Sequence, residues 1–300
     1  MKKMLFIMNP FAGQKRANRV LPDILLQFSE AGYEVNTVMT TGTGAATRAA
    51  EAYGKDVELV VCCGGDGTLN ETLTGLLRCG AATPLGYIPT GTTNDFAASM
   101  GLSHNPVQAA KDILEGKPYD YDAGRFGNRN FAYVASFGAF TRSSYIVPQN
   151  IKNALGHTAY VLGGISELSQ IRNEHIRMEL DGEIVEDDFL FGAICNSTSV
   201  GGVLTLDPRQ VDMADGKLEV LLVRSPKSLL EIPECIAAVQ SQQYNNCEMI
   251  TFRSAHHIRV EADPEMPWTL DGEKEEGHAV VEVENLHHAI RLIQKEKADA

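Results

Sequence analysis

The chain has little positive charge, no long apolar run and few cysteines. Its 26 Lys and Arg residues stand against 39 Asp and Glu residues among 300, which leaves a formal net charge of −13 at pH 7. A chain this acidic has no overall field that attracts phosphate backbones, so we expect no nucleic-acid partner. The longest near-candidate for a membrane span, Leu59–Cys63, is far shorter than the ~18 apolar residues required, so any membrane contact is expected to be peripheral. Six cysteines without zinc-ligand spacing do not make a disulfide framework and favour a reducing, cytoplasmic compartment.

The first part of the chain, up to about Gly116, alternates short apolar runs with helix-like stretches, and glycine-rich turns follow the runs. This alternation is typical of βαβ units. The run Val57–Cys63 is apolar almost throughout, as expected for a central parallel strand that is covered on both faces. We therefore predict an open parallel sheet, with strands at Met4–Met8, Glu34–Met39, Val57–Cys63 and Leu85–Ile88, and helices at Arg16–Ala31, Ala45–Tyr53, Leu69–Leu77, Asp95–Ser99 and Val107–Glu115.

After about Tyr119 the pattern changes to repeated short β-like runs, which predict a β-sandwich or a barrel. The runs are Phe131–Ser136, His175–Leu180, Phe189–Cys195, Leu218–Val223, His256–Glu261 and Ala279–Val283. Helices are expected around Ile151–Ile171 and Leu229–Ser241, and a linker over Gly116–Tyr121. We predict an α/β domain over residues 1–120, a β-rich domain over 121–285 and a segment, 286–300, that returns to the first domain.

The loop Cys63–Glu71 follows the buried strand and opens a helix, at the sheet edge where α/β proteins bind their ligands. Its glycines let the backbone approach an anion closely, and the helix adds its positive N-terminal end. Asp66 would repel a phosphate unless a cation bridges the two, so it indicates Mg²⁺ with a nucleotide. The alternative is a tight strand-to-helix turn with an Asp cap.

Two further loops repeat this arrangement. Ile88–Ala97 and Asn9–Gly13 also follow predicted strands and supply glycines and polar side chains, so all three loops are expected along one sheet edge. A Walker-type loop is absent, and Gly42–Thr47 lacks the third glycine of the dinucleotide fingerprint. These absences count against a Rossmann oxidoreductase.

Together the three loops resemble those of the diacylglycerol kinase and sphingosine kinase-like lipid kinase family. The resemblance rests on Asn-Pro-x-x-Gly at 9–13, Gly-Gly-Asp-Gly-Thr-Leu-Asn-Glu at 64–71 and Pro-Thr-Gly-Thr-Thr-Asn-Asp-Phe-Ala at 89–97. Gly-Gly-Asp-Gly-Thr also occurs in NAD kinases and phosphofructokinases, so Gly91–Ala97 is the discriminating run. The resemblance implies an α/β domain and a β-sandwich-like domain with ATP in the cleft between them.

The resemblance also implies the nucleotide-binding residues. They are Asn9, Pro10, Gly13, Thr40, Gly64, Gly65, Asp66, Gly67, Thr68, Asn70, Glu71, Gly91, Thr92 and Asn94. Ala45 stands where the family usually has an acidic residue or a histidine, so one polar contact is expected to be missing.

Trp268–Glu273 resembles the family's Asp-Gly-Glu motif, whose glutamate is proposed as the base that deprotonates the lipid hydroxyl. The resemblance implies catalytic roles for Glu273 and Asp271, together with Asp66. A carboxylate near the γ-phosphate can accept that proton, although phosphoryl transfer depends mostly on positioning and metal charge. The alternative is an Asp-Gly hairpin turn with an incidental glutamate, which is what we predict for the near-copy Leu180–Glu183.

Two sets of residues match metal sites of the family. Asp66, Asp95 and Asp122 match a water-linked network around catalytic Mg²⁺. Asp212, Asp215 and Lys217 match a structural metal loop in some members, in which Asp215 supplies its side chain and the other two supply backbone oxygens. Oxygen ligands suit Mg²⁺, but Asp-Gly at 215–216 is equally an ordinary hairpin turn.

We therefore expect an ATP- and Mg²⁺-dependent kinase that phosphorylates a hydroxyl of diacylglycerol or a related lipid. The enzyme would be cytoplasmic and would bind this lipid acceptor at the inner face of the membrane. A homodimer is one possible oligomeric state. The alternatives are an NAD kinase, which would make a soluble product, and a regulator that binds nucleotide or lipid without turnover.

Overall fold

The computed structural model describes residues 1–138, 173–200, 204–228 and 230–296. The α-helices in these ranges are α1 (Arg16–Glu30), α2 (Ala45–Tyr53), α3 (Asp66–Cys79), α4 (Asp95–Met100), α5 (Pro106–Glu115) and α6 (Glu231–Ser241). The strands are β1 (Lys2–Met8), β2 (Tyr33–Met39), β3 (Leu59–Gly64), β4 (Leu85–Pro89), β5 (Lys117–Phe126), β6 (Arg129–Phe131), β7 (Val134–Gly138), β8 (Glu174–Leu180), β9 (Glu183–Cys195), β10 (Ser199–Val200), β11 (Leu204–Thr205), β12 (Leu218–Arg224), β13 (Ile250–Ala255), β14 (His257–Glu261), β15 (Trp268–Leu270), β16 (Glu273–Glu275) and β17 (Val280–Gln294).

The N-terminal half is an open parallel sheet with strand order β2-β1-β3-β4. Every residue of β3 is buried, as its unbroken apolar sequence predicts for a central strand. On α1, Ile24 and Phe28 lie one turn apart and are fully buried in a core that also contains Phe6 of β1. The predicted parallel α/β half is confirmed.

The C-terminal half is built from antiparallel strands in the order β16-β15-β7-β9-β8-β14-β17, and β12 joins β9 to β13. Its core includes Trp268, whose ring centroid lies 4.7 Å from that of Phe126 and 5.0 Å from that of Phe137. The predicted β-rich second half is also confirmed. None of the helices in the described residues is long and apolar enough to cross a membrane.

Strand β17 connects the two halves. It pairs antiparallel with β5 and β14, and its Leu292 pairs in parallel with Leu85 of β4. The predicted linker over Gly116–Tyr121 is therefore wrong, because β5 begins at Lys117 and is held by β17. The partner strand lies more than 150 residues later in the chain, so local composition could not show this pairing.

The predicted domain boundaries at 120 and 285 stay predictions; β5 and β17 run across them. The helix predicted around Leu229–Ser241 is α6, which spans Glu231–Ser241 in the described residues. The helix expected over Ile151–Ile171 lies outside the described residues.

Candidate active site

The three predicted loops lie side by side, because the strands before them are neighbours. Met8 pairs with Cys63, and Gly64 pairs with Pro89, so β1, β3 and β4 end at the same edge. The backbone N–H of Asn9 donates to Cys63 O at 2.9 Å, and that of Thr90 donates to Gly64 O at 2.8 Å. The expectation that the loops share one sheet edge is thus confirmed.

Glycine is required where these loops meet. An ideal Cβ on Gly13, which has φ +46°, would lie 1.8 Å from the carbonyl oxygen of Thr90. A Cβ on Gly91 would lie 2.6 Å from the Cα of Gly65. Any side chain at these two positions would force the loops apart, so the glycines set the spacing of the edge.

Polar side chains of the loops hold the backbone in place. Asn9 Oδ1 accepts from the N–H of Phe11 at 3.0 Å, and its Nδ2 donates to Thr68 Oγ1 at 3.3 Å. Asn94, at φ 56°, accepts from the N–H of Gly91 at 2.8 Å and donates to its carbonyl at 3.0 Å. The predicted nucleotide-binding residues of all three loops are therefore brought together at one edge.

Two other predicted nucleotide-binding residues are Thr40, which follows β2, and Glu71, which lies on α3. The N–H of buried Thr40 donates to Met8 O at 2.8 Å, which places it beside the end of β1. Glu71 Oε1 accepts from the N–H of Gly44 at 2.6 Å, and its Oε2 accepts from that of Ala46 at 3.1 Å. Glu71 thus caps the first turn of α2, a contact that the sequence did not indicate.

Asp66 and Asp95 form an acidic pair at the base of this edge. Asp66 Oδ2 accepts from the backbone N–H of Asp95 at 3.1 Å, and its Oδ1 accepts from that of Phe96 at 3.4 Å. Burial, followed by the charge of Asp95, raises the pKa of Asp66 from 3.8 to about 7. Asp95 is itself buried, and its Oδ1 accepts from Ser199 Oγ at 2.8 Å. The two carboxylates therefore repel each other in a poorly solvated place, as carboxylates at cation sites do.

Asp271 connects the two halves of the molecule. Its Oδ2 accepts from Asn70 Nδ2 of α3 and from the N–H of Ala132, both at 2.6 Å, and its Oδ1 accepts from the N–H groups of Tyr133 and Val134 at 3.1 and 3.0 Å. Burial raises the pKa of Asp271 to about 6, although these hydrogen bonds act in the opposite direction. The buried carboxylate fixes the β15–β16 turn against α3.

Glu273 follows this turn and faces the glycine-rich loop. An ideal Cβ on Gly67 would lie 3.1 Å from Glu273 Oε1, so the carboxylate lies against the loop backbone. Glu273 Oε2 lies 3.2 Å from Arg129 Nη2. The predicted base and the predicted phosphate loop therefore lie next to each other at the junction of the two halves.

Asp122 is hydrogen-bonded to a different group of residues from the Asp66–Asp95 pair. Its Oδ1 is 2.9 Å from His287 Nδ1 and accepts from the N–H of His288, and its Oδ2 accepts from the N–H of Gly216 and from Asn285 Nδ2. Protein donors thus surround this buried carboxylate, whereas Asp95 and Asp271 are the carboxylates whose charges raise the pKa of Asp66. By its hydrogen bonds, Asp122 belongs with the 212–217 loop and not with the Asp66–Asp95 pair.

In the predicted metal loop, the two aspartate side chains accept hydrogen bonds from backbone N–H groups of the loop itself. Asp212 Oδ1 accepts from the N–H of Ala214 at 3.1 Å, and Asp215 Oδ1 accepts from the N–H of Lys217 at 2.9 Å. Lys217 O accepts from Asn285 Nδ2 at 2.9 Å. These contacts are those of a tight turn, and a metal ion on Asp212, Asp215 and Lys217 stays a prediction.

Sequence reasoning missed two groups around the site. Ser99, Ser197 and Ser199 bond to one another, and Ser199 also bonds to Asp95. Arg129 bonds to Glu273. No motif marks any of these residues: Ser99 lies on α4 with Asp95, whereas Ser197, Ser199 and Arg129 come from segments distant in sequence from the residues they contact.

Comparison with known proteins identifies the family. Residues 3–126 match the model of the diacylglycerol kinase catalytic domain, and residues 134–294 match that of the YegS C-terminal NAD kinase beta sandwich-like domain. The chain is 32% identical over 302 residues to the diacylglycerol kinase of Bacillus subtilis (strain 168), which covers 100% of this chain and 99% of that protein. It is 30% identical over 273 residues to that of Staphylococcus saprophyticus, with 91% and 89% covered. The solved structure of a candidate diacylglycerol kinase from Bacillus anthracis str. Sterne matches with a TM-score of 0.81 at 25% identity, over 98% of this chain and 95% of that one. The chain therefore belongs to the diacylglycerol kinase family of lipid kinases.

Proposed function

We propose that this enzyme transfers the γ-phosphate of ATP to a hydroxyl of diacylglycerol or a related lipid in an Mg²⁺-dependent reaction, which yields phosphatidic acid or an analogous lipid phosphate. The observation that carries the proposal is the proximity of Glu273 to Gly67, since an ideal Cβ on the glycine would lie 3.1 Å from Glu273 Oε1. This arrangement places a carboxylate of the β-rich half beside the glycine-rich loop of the α/β half, which is of a type that binds phosphate. A base and a phosphate site must meet in this way for transfer to a hydroxyl.

The nucleotide phosphates would lie on the loop that begins α3. Gly65 is the N-cap of this 14-residue helix and has no side chain to cap it. The first backbone N–H groups of the helix are therefore not held by a capping side chain. Such groups bind anions well, and the helix dipole favours negative charge at this end. The tight packing of Gly13 on Thr90 and of Gly91 on Gly65 keeps the neighbouring loops close to this position.

Asp66 and Asp95 fit a magnesium ion. Their carboxylate oxygens are the ligands that Mg²⁺ prefers, and the raised pKa of Asp66 shows that burial and a neighbouring carboxylate disfavour its charge when no cation is bound. When bound, the ion would offset the negative charge of the phosphates. The protein's own contribution is to orient Asp66 through the backbone N–H groups of Asp95 and Phe96.

Glu273 would act as the general base. As the lipid oxygen bonds to the γ-phosphorus, its proton passes to Glu273, the bond from phosphorus to the β–γ bridging oxygen breaks, and ADP leaves. Asp271 would act by orientation, because its carboxylate is engaged by four N–H donors and holds the turn before Glu273. The acceptor would approach from a membrane surface that the enzyme contacts peripherally.

The C-terminal family model gives a second candidate acceptor, since its description names the NAD kinase β-sandwich. We would incubate the enzyme with Mg²⁺ and ATP labelled on the γ-phosphate, together with diacylglycerol vesicles, a bacterial lipid extract or NAD. Label in the organic phase is expected, and the labelled lipid names the acceptor. Label on NAD alone would overturn the lipid proposal, and label on no acceptor would favour a regulator that binds without turnover.

A further inference from the structure

Arg129 lies on a strand whose backbone is held firmly. Strand β6 pairs with β5 across the tight turn at Gly127, where φ is 54°. The carbonyl of Asn130 accepts from Asn70 Nδ2 of α3 at 3.0 Å, and the ring of Phe131 packs so closely on Gly124 that a Cβ there would lie 1.9 Å away. The side chain of Arg129 therefore starts from a fixed point beside the glycine-rich loop.

The guanidinium of Arg129 bridges two carboxylates of β16. Its Nη2 lies 3.2 Å from Glu273 Oε2, and its Nη1 lies 2.5 Å from Glu275 Oε2. Residues two apart on a strand point to the same face, so Glu273 and Glu275 would otherwise repel each other. The planar fork of an arginine suits two acceptors at once, whereas lysine presents a single point charge.

We propose that Arg129 is the positioning residue of the reaction, which holds Glu273 Oε2 so that Oε1 faces the glycine-rich loop. This inference rests on the proposed role of Glu273 as the base. The two oxygens then have separate tasks: Oε2 is engaged by the guanidinium, and Oε1 is directed at the loop where the acceptor hydroxyl must lie.

A merely structural role would look different in measurements. The side chains of Arg129 and Glu273 are 40% and 48% exposed, and ion pairs this exposed contribute little to stability. Loss of Arg129 should therefore leave the unfolding transition almost unchanged while it lowers turnover. Small errors in the placement of a reacting group reduce rates on the order of 10- to 100-fold.

The test is a double-mutant cycle that combines Arg129→Gln with Glu273→Gln, with kcat and the KM for ATP measured for each protein. We expect Arg129→Gln alone to lower kcat by on the order of 10- to 100-fold with little change in KM, and Arg129→Lys to recover part of this loss. In the Glu273→Gln background, Arg129→Gln should lower kcat by less than about twofold, since the side chain it positions has lost its function.

The matched control is Arg259→Gln. Arg259 also bridges two glutamates, with Nε 3.2 Å from Glu261 Oε1 and Nη1 2.7 Å from Glu282 Oε1, and it is 39% exposed. It is not in contact with Glu273 in the structure, so its loss should leave kcat unchanged. Thermal unfolding of every variant identifies any protein that has failed to fold, in which case Arg129→Lys supplies the comparison.

The outcomes are separable. An equal loss from Arg129→Gln in both backgrounds, or a change confined to the KM for ATP, would overturn the positioning role and leave the base in place. Wild-type turnover by Arg129→Gln would do the same. Wild-type turnover by Glu273→Gln would overturn the proposed base and, with it, the role of Arg129.

Discussion

The sequence Leu-Asp-Gly-Glu occurs twice in the chain, at residues 180–183 and 270–273, and both copies form the same turn. In each, the leucine pairs with the glutamate across a two-residue hairpin. The φ angles are 48° and 94° at Asp181 and Gly182, and 49° and 83° at Asp271 and Gly272. Positive φ at both central residues is typical of a type I′ turn, for which Asp-Gly is a favoured pair.

The two turns differ in what surrounds them. Asp181 is exposed and accepts from the backbone N–H groups of His256 and His257, and Glu183 pairs with the exposed Arg253. Asp271 is buried against Asn70 of α3, and Glu273 lies beside Gly67. The two turns have the same local sequence and a similar backbone, so their chemistry differs because only one of them lies beside the glycine-rich loop. Four measurements test this difference.

The largest expected effect separates the two glutamates. Glu273→Gln removes the proposed base and should lower kcat on the order of 10²- to 10⁴-fold. Glu183→Gln makes the same change at the other turn and should leave kcat unchanged. Steady-state kinetics with diacylglycerol vesicles check both, and equal effects would show that the 270–273 turn has no special role.

The two aspartates should differ in stability. Asp271→Asn places an amide N–H₂ among four N–H donors that point at the carboxylate, so we expect a loss of about 2–4 kcal/mol in the free energy of unfolding. Asp181→Asn disturbs two bonds near solvent and should cost less than about 1 kcal/mol. Urea unfolding at neutral pH measures both, and a larger loss at Asp181 would contradict the assigned burial.

The acidic group near the 270–273 turn should titrate in the neutral range. Asp66 has its pKa raised to about 7, so its protonated form is populated below that pH and its ionised form above it. At low Mg²⁺, kcat/KM should rise with pH through about 7, by about tenfold per pH unit below the midpoint. More Mg²⁺ should move the midpoint to lower pH, because the cation competes with the proton.

At the other turn the pKa of Asp181 is lowered. Burial alone would raise it, but the N–H groups of His256 and His257 outweigh burial. Asp181→Asn should therefore leave the pH profile unchanged. A profile that does not respond to Mg²⁺ would count against Asp66 as a metal ligand.

The smallest expected effect is the loss of stability when the glycine of either turn is replaced by alanine, and it should be the same at both turns. Gly182 and Gly272 both have positive φ, and neither has an atom within 4 Å of an added Cβ. Gly182→Ala and Gly272→Ala should each cost about 1–2 kcal/mol through left-handed strain alone. Thermal unfolding checks this, and clearly unequal losses would show that the two backbones are not equivalent.

Local sequence was sufficient for much of the α/β half. The apolar run that became β3 and the helix over Ala45–Tyr53 were predicted correctly, because strand and helix preferences there agree with the tertiary environment. The shared edge of the three loops followed as well, since neighbouring parallel strands end on the same side.

Contacts over long sequence separation were not predictable in this way. Gly116–Tyr121 has the composition of a linker but forms a strand because β17 pairs with it. Asp122 matches a family position for the catalytic metal, yet its hydrogen bonds go to Gly216 and to Asn285–His288. Arg129 and Ser199 belong to no sequence motif. They are linked to the site only by their hydrogen bonds to Glu273 and Asp95, respectively.

The sequence by itself determined the type of each half, the three glycine-rich loops and the family, because these depend on periodicity and on backbone freedom within a few residues. The family resemblance distinguished the 270–273 turn from its copy at 180–183, but only the tertiary structure places it beside the glycine-rich loop and brings Asp66 and Asp95 together. Burial, charge repulsion and hydrogen-bond partners are properties of neighbours in space, and the order of residues along the chain does not contain them.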